Sequence, residues 1–89
     1  MATVVRVGKL RVIVYSRDHP PPHVHVVGPR GQAKILVDGP EGHPRLEWNL
    51  GLSRRELARA LAIVADHREL ILTEWKRIHD YPSLDPRRA

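Results

Sequence analysis

The chain has 89 residues, no cysteine and a formal net charge of +5. This length predicts a single domain, so an active-site cleft between two domains is excluded. The lack of cysteine excludes disulfides, zinc ribbons and thiol nucleophiles, and it leaves histidines and carboxylates as the metal ligands to consider. Hydrophobic residues make up 42 % of the chain and charged residues 28 %, which is typical of a globular protein and not of a disordered one.

The positive charge predicts an acidic partner, such as nucleic acid, an acidic protein or a phosphate-bearing ligand. Twelve of the fifteen basic residues are Arg, which makes bidentate contacts with phosphates and carboxylates. No apolar run approaches the roughly 20 residues needed to span a bilayer, and the segment after Met1 shows no signal-peptide pattern. We therefore expect a cytoplasmic protein that does not act at a membrane.

The first half of the chain predicts four or five short strands, because alternating and β-branched segments are separated by Gly and Pro turns. The predicted strands are Thr3–Val7, Leu10–Tyr15, His23–Val27, Gln32–Val37 and Arg45–Asn49. Gly8–Lys9 predicts a tight hairpin turn between the first two strands. Pro20–Pro22 stiffens the loop before the third strand, because proline fixes its own φ angle.

The second half predicts two helices or one sharply kinked helix. Ser53 and Glu56 have the spacing of a capping box, which marks a helix start. Asp66 and Glu69 repeat that spacing, so a bend near Ala65 is expected. Apolar residues recur on one stripe at helical spacing, at Leu57, Leu61, Val64, Ile71, Trp75 and Ile78.

The two halves combine into an α+β fold, a two-layer sandwich in which the helices pack on one face of an antiparallel sheet. We expect one domain over residues 1–80, with strands over about 3–50 and helices over about 53–80, followed by a polar tail at 81–89. Alternation predicts that the helices cover Val24, Val26, Ala33, Ile35, Val37, Leu46 and Trp48. The opposite face then carries His23, His25, Lys34, Arg45 and Glu47, together with Arg11 or Tyr15.

Three histidines within seven residues form the most unusual segment. His23 and His25 are two apart on a strand, so both imidazoles project from the same face. Such a pair can act as acid and base across a phosphodiester, with Lys34 stabilising the developing charge. It can equally hold a divalent transition metal, with His19 or Glu47 completing the ligands. The alternative is an exposed sheet face that only tolerates the two histidines.

The remaining aromatic and histidine residues predict no chemistry. Trp75, like Trp48, fits the core pattern. His43, His67 and His79 have no partner at a useful spacing, and we expect them at the surface.

Several arginines predict a surface that binds nucleic acid or an acidic partner, namely Arg30, Arg45, Arg54, Arg55 and Arg59. The last three lie in the first turns of the predicted helix, where positive charge opposes the helix dipole. That unfavourable placement suggests contacts with phosphates or with an acidic protein. The alternative is an ordinary solvent face, because Arg is a good helix former.

The sequence resembles the family called domain of unknown function 4160 from about Thr3 to about His79. The matching residues are Tyr15–Ser16, Asp18–His19, Pro21–Val26, Ala33–Lys34 and Gly51–Leu57. The resemblance implies a small bacterial protein without an established activity. It also implies a partner, because such proteins are often encoded beside domain of unknown function 2442 in what looks like a toxin–antitoxin pair. It supplies no catalytic residues.

Three hypotheses about function follow. The first is a toxin–antitoxin component that acts on or binds RNA, with His23, His25 and Lys34 as its acid–base site. The second is a non-enzymatic module of such a pair that binds a partner protein or DNA. The third is a small protein that binds metal through His19, His23 and His25. We also expect association, as a homo-oligomer or with the neighbouring gene product, because few devices apart from the prolines protect the sheet edges.

Overall fold

The computed structural model describes residues 2–17, 19–39 and 43–79. Its elements are β1 (Ala2–Val7), β2 (Leu10–Val14), β3 (His23–Val27), β4 (Gln32–Leu36), β5 (Arg45–Leu50), α1 (Arg54–Asp66) and α2 (Arg68–His79). The strands form one antiparallel sheet in the order β1-β2-β3-β4-β5, so each strand pairs with its neighbour in sequence. The predicted α+β fold and its five strands are confirmed.

The hydrophobic core lies between one face of the sheet and the two helices. The predicted alternation is confirmed, because Val24, Val26, Ala33, Ile35 and Val37 are fully buried there. The helices contribute their predicted stripe and also the unpredicted Ala60 and Ile63. We call the other face of the sheet, which no described helix covers, the open face.

Ser53 begins the helical half, as predicted. Its hydroxyl accepts from the Glu56 backbone N–H at 3.0 Å, and its own backbone N–H donates to Glu56 Oε1 at 2.8 Å. The chain then forms two helices that break at His67, slightly beyond the predicted bend at Ala65. His67 ends α1 because its backbone N–H and its Nδ1 both donate to the Ile63 carbonyl.

Both edge strands of the sheet contain a β-bulge. In β1 the register with β2 shifts between Thr3 and Val5. In β5 the extra residue is Glu47, which lies between the paired residues Leu46 and Trp48. Bulges interrupt and twist an edge strand, so they protect it against pairing with another chain. The expectation that the edges have few protective devices is therefore wrong.

The bulge in β5 also corrects the predicted position of Trp48. Strict alternation predicts that Leu46 and Trp48 both face the helices. In the structure Trp48 pairs with Lys34 and Leu46 pairs with Ile35, so the two side chains lie on opposite sides of the sheet. Trp48 is therefore on the open face. Leu46 is on the predicted side of the sheet, but it is 42 % exposed at the edge and is not covered by the helices. Of the two tryptophans predicted to be in the core, only Trp75 lies there.

Among the described residues, no helix has the length and apolar character needed to cross a membrane. The predicted polar tail at 81–89 lies outside the described ranges, so it stays a prediction.

Candidate functional site

Side chains from all five strands line up in rows across the open face. Residues paired between neighbouring strands project from the same face, so the registers define each row. One row consists of Thr3, Ile13, His25, Lys34 and Trp48. The next row toward the β1–β2 turn consists of Arg6, Arg11, Val27, Gln32 and Leu50. The open face therefore combines cations, aromatic rings and apolar side chains.

Four rings form a connected aromatic cluster on this face. We define it as Tyr15, His23, His25 and Trp48, with His25 at its centre. The centroid of the His25 ring lies 4.8 Å from that of Tyr15, 5.3 Å from that of His23 and 5.8 Å from that of Trp48. The two rings nearest to His25 meet it edge to face, which is a favourable geometry for ring systems. The predicted pairing of His23 with His25 on one face is confirmed.

The two motif histidines differ in accessibility. His23 is only 3 % exposed, and its Nδ1 donates to the Pro21 carbonyl at 2.9 Å. The same proline loop is held at the strand end because the Pro22 carbonyl accepts from the Val37 backbone N–H at 3.0 Å. His25, in contrast, is half-buried and lies between Tyr15 and Trp48. A ligand on the open face can therefore reach His25, whereas His23 is a buried part of the cluster.

Lys34 lies beside His25, as predicted, because the two residues are paired in register. Its Nζ is 3.5 Å from Glu47 Oε2, and both side chains are partly exposed. Glu47 thus pairs with Lys34, and no described contact gives it the predicted role of orienting a histidine. A partly exposed ion pair of this kind contributes little to stability, so Lys34 can exchange Glu47 for a ligand phosphate.

A shallow groove of about 390 Å³ adjoins the aromatic cluster on the open face. It is lined by Arg11, Ile13, Tyr15, Val27, Gly28, Gly31, Gln32 and Leu50. Ile13 is buried although its row faces away from the helices, so the open face has an apolar floor of its own. Leu50 is 64 % exposed and forms the outer wall.

The predicted arginines do not form one surface with the aromatic cluster. Arg54, Arg55 and Arg59 are exposed on α1, in the layer that covers the opposite face of the sheet. Arg30 lies at the β3–β4 turn, with its Nη2 4.0 Å from Glu56 Oε2. The Ser53 backbone N–H is the main cause that lowers the pKa of Glu56, and Arg30 adds a smaller effect in the same direction. 

Arg45 is at the start of β5, where its Nη2 donates to Asp38 Oδ1 at 3.2 Å. The structure instead places Arg6 and Arg11 on the open face, directly opposite each other. Of these two arginines, only Arg11 was predicted to lie on this face, as an alternative to Tyr15. Arg11 and Tyr15 both face outward, since Tyr15 belongs to the aromatic cluster.

The described residues include no group of three His, Asp or Glu side chains that could hold a metal ion. His19 is exposed, whereas His23 is buried. The metal hypothesis therefore gains no support from the described part of the chain and stays a prediction.

One histidine outside the motif is misplaced by the prediction. His79 is only 3 % exposed, whereas a surface position was expected. Its ring stacks on Trp75 with the centroids 4.0 Å apart, and its Nε2 lies 3.0 Å from the Tyr15 carbonyl oxygen. His43 is exposed, as expected, and His67 is half-buried at the break between the helices. His79 thus connects the end of α2 to the residue that follows β2.

Three residues of the open face were not predicted there, namely Trp48, Ile13 and Arg6. The three consecutive apolar residues Val12–Val14 were a usable signal, because an amphipathic strand alternates and a continuous run indicates burial on both faces. Trp48 had no such signal, since Glu47 fits the alternating pattern as an outward-facing residue.

Comparison with known proteins gives a family and nothing further. The sequence model of the family described as "Domain of unknown function (DUF4160)" matches residues 10–76, well over half of the chain. No curated protein and no solved structure matches the chain. The matched segment runs from the start of β2 into α2, so it contains the His-bearing strand and most of the open face.

Proposed function

The chain belongs to the DUF4160 family, and we propose that its open face binds single-stranded RNA as part of a toxin–antitoxin system. The observation that carries this proposal is the aromatic cluster beside cations on a sheet face that no described helix covers. Sheet faces with exposed rings bind single-stranded nucleic acid by stacking bases on those rings. Action on RNA places the protein in the cytoplasm, and the proposed binding needs no cofactor.

The rings provide the stacking part of the interaction. Tyr15 and Trp48 flank His25 and are each half-buried, so part of each ring is available to a ligand. Stacking on an aromatic side chain is worth about 1–3 kcal/mol per base and tolerates any base. Their contacts with His25 fix the ring positions, so little side-chain freedom is lost on binding.

The cations provide the electrostatic part. Arg6 and Arg11 are directly opposite each other on β1 and β2, and like charges in that position destabilise a sheet. A phosphate bound by Arg6 neutralises one of the two charges and removes this repulsion. Lys34 adds a third cation in the neighbouring row, beside His25.

The first experiment measures binding of a fluorescently labelled single-stranded RNA by anisotropy. Trp48→Ala should raise the Kd by about 10-fold, because one stacking platform is lost. Arg6→Gln should also weaken binding and should reduce the slope of log K against log salt by about 0.7, because one phosphate contact is lost. Arg55→Gln makes the same charge change in the helical layer, and it should leave the Kd within about two-fold of wild type.

Equal effects of Arg6→Gln and Arg55→Gln would show that only net charge matters, and they would refute a site on the open face. Absence of RNA binding at low salt by the wild-type chain would refute the whole proposal. Circular dichroism of each variant confirms that the fold is retained.

Cleavage of the bound RNA by His25, with Lys34 stabilising the developing charge, is a further prediction. His25→Ala should then lower the cleavage rate by about 10²–10⁴-fold, the usual contribution of one acid–base group.

The toxin–antitoxin role is tested by expressing the chain alone and then with the neighbouring gene. Growth inhibition that the neighbour relieves, and that Trp48→Ala abolishes, supports the role.

Binding of a partner protein is the second candidate function. It is favoured by the exposure of Leu46 and Leu50 on β5, at 42 % and 64 %. Leu50 projects from the open face and Leu46 from the opposite face, so a partner that covers both side chains must bind around this edge of the sheet. If the neighbouring gene product, of the domain of unknown function 2442 type, binds here, Leu50→Glu should abolish co-purification. Leu70→Glu on α2, where Leu70 is also exposed, should have no effect.

A further inference from the structure

The groove beside the aromatic cluster has polar side chains on both sides of an apolar floor. Arg11, Val27 and Gln32 face one another in register on β2, β3 and β4. Neighbouring strands are about 4.8 Å apart, so the backbones of Arg11 and Gln32 are roughly 10 Å apart across Val27. This spacing leaves room for one flat ring system between the two polar side chains.

The rest of the lining suits a base more than a phosphate. Ile13 and Val27 form the floor, while Tyr15 and Leu50 form walls at opposite sides. The volume of about 390 Å³ is within the range of about 300–1,000 Å³ for small-molecule sites. Tyr15 belongs both to the groove and to the aromatic cluster, so a strand stacked on the cluster continues directly into the groove.

We propose that this groove binds one guanine base of the RNA strand and gives the site a sequence preference. The inference rests on the proposed function, since the groove is part of the same face. The Arg11 guanidinium donates two hydrogen bonds to guanine O6 and N7, while the Gln32 amide reaches the opposite edge of the base.

The chemistry of Arg11 decides between the bases. Guanine presents two acceptors side by side, which match the two parallel donors of a guanidinium. Adenine presents an amino donor in place of O6, and this donor opposes the donors of Arg11. Uracil has the N3–H donor between its two carbonyls, so it accepts at most one of the two bonds. Cytosine has adjacent acceptors at N3 and O2, but its opposite edge, C5–C6, offers no hydrogen bond to Gln32. Guanine is therefore the base that satisfies this groove.

The test compares RNA oligonucleotides that differ at one central position, which is G, A, C or U in an otherwise identical uridine background. Wild-type protein should bind the G-containing RNA about 10-fold more tightly than the A-containing RNA, since one good bidentate pair discriminates to about this extent. Arg11→Lys keeps the positive charge but loses the fork of donors. It should reduce the preference for G over A to less than about two-fold.

Arg6→Lys is the matched control, because Arg6 is directly opposite Arg11 but does not line the groove. It should keep the preference for G. A second measurement uses guanosine 5′-monophosphate alone, which should shift the backbone amide resonances of Gly28, Gly31 and Gln32.

The outcomes separate this inference from the proposed function. If all four RNAs bind equally well, the guanine groove is refuted and RNA binding by the open face stands. If Arg11→Lys keeps the full preference, Arg11 does not read the base and the inference is likewise refuted. If no RNA binds at all, the proposed function itself fails.

Discussion

At the scale of single residues, His23 and His25 have different roles. His23 is buried and donates from Nδ1 to the Pro21 carbonyl, so it holds the proline loop against the sheet. His25 is reachable from the open face and contacts three rings. The spacing of the two histidines could not predict which one is buried. The position of the proline loop beside His23 depends on tertiary structure and not on strand periodicity.

Substitution of His23 should therefore cost stability. His23→Ala should lower the free energy of unfolding by about 1–3 kcal/mol, because a buried hydrogen bond is lost and its acceptor is left without its donor. His23→Asn should recover part of this loss, because its amide nitrogen can replace Nδ1 as a donor. Urea denaturation measures both effects, and His19→Ala, at an exposed position, is the control. An Ala variant as stable as wild type would contradict the assigned role.

Glu56 gives stability a dependence on acid pH. The Ser53 backbone N–H, which donates to Glu56 Oε1, lowers the pKa of Glu56 below its ordinary value of 4.5. The carboxylate form is thus favoured by folding, so its contribution is fully present above pH 4.5 and is lost as the pH falls through the lowered pKa. Urea midpoints of wild type should fall more steeply below pH 4.5 than those of Glu56→Gln. Parallel pH profiles would count against this contribution.

At the scale of secondary-structure elements, the bulge in β5 determines which side chains reach the open face. The extra residue Glu47 moves Trp48 from the helix-covered side to the side of Lys34 and His25. Alternation along one strand does not predict such an insertion, because the bulge exists only relative to the register of the neighbouring strand. The capping box, in contrast, is a local signal, and it predicted the start of α1 correctly.

Deletion of Glu47 should leave each β5 side chain on its present face of the sheet, but it should remove the bulge from this edge strand. Trp48 can still pair with Lys34 and Leu46 with Ile35, because these residues are already aligned on either side of the bulge. The shortened chain should therefore fold, with the circular dichroism of wild type. Without the bulge the edge pairs more readily with other chains. The average mass of the deletion variant, measured by sedimentation, should therefore rise faster with protein concentration than that of wild type.

Glu47→Ala is the control for this deletion, because it removes the same charge and ion pair but keeps the extra residue. It should associate no more than wild type. If the deletion variant behaves identically to Glu47→Ala, the bulge does not protect the edge.

At the scale of the whole molecule, the sequence was sufficient for the architecture and insufficient for the site. Val24, Val26, Ile35 and the helical stripe predicted the two layers, because burial on one face requires their periodicity. The site depends on cross-strand alignment among residues as distant in sequence as Arg6 and Leu50. No local pattern contains that alignment. The prediction therefore identified His25 and Lys34 as site residues, but it did not identify Trp48.

The contact between His79 and Tyr15 determines where this domain can be shortened. The family match ends at residue 76, but His79 lies beyond that boundary and its ring is packed between Trp75 and the Tyr15 carbonyl. A truncation at residue 76 keeps every strand and most of α2. It removes the contact that fixes the backbone of Tyr15, a residue shared by the aromatic cluster and the groove. A fragment trimmed to the family limits would then retain the fold yet lose the alignment of the side chains on its open face.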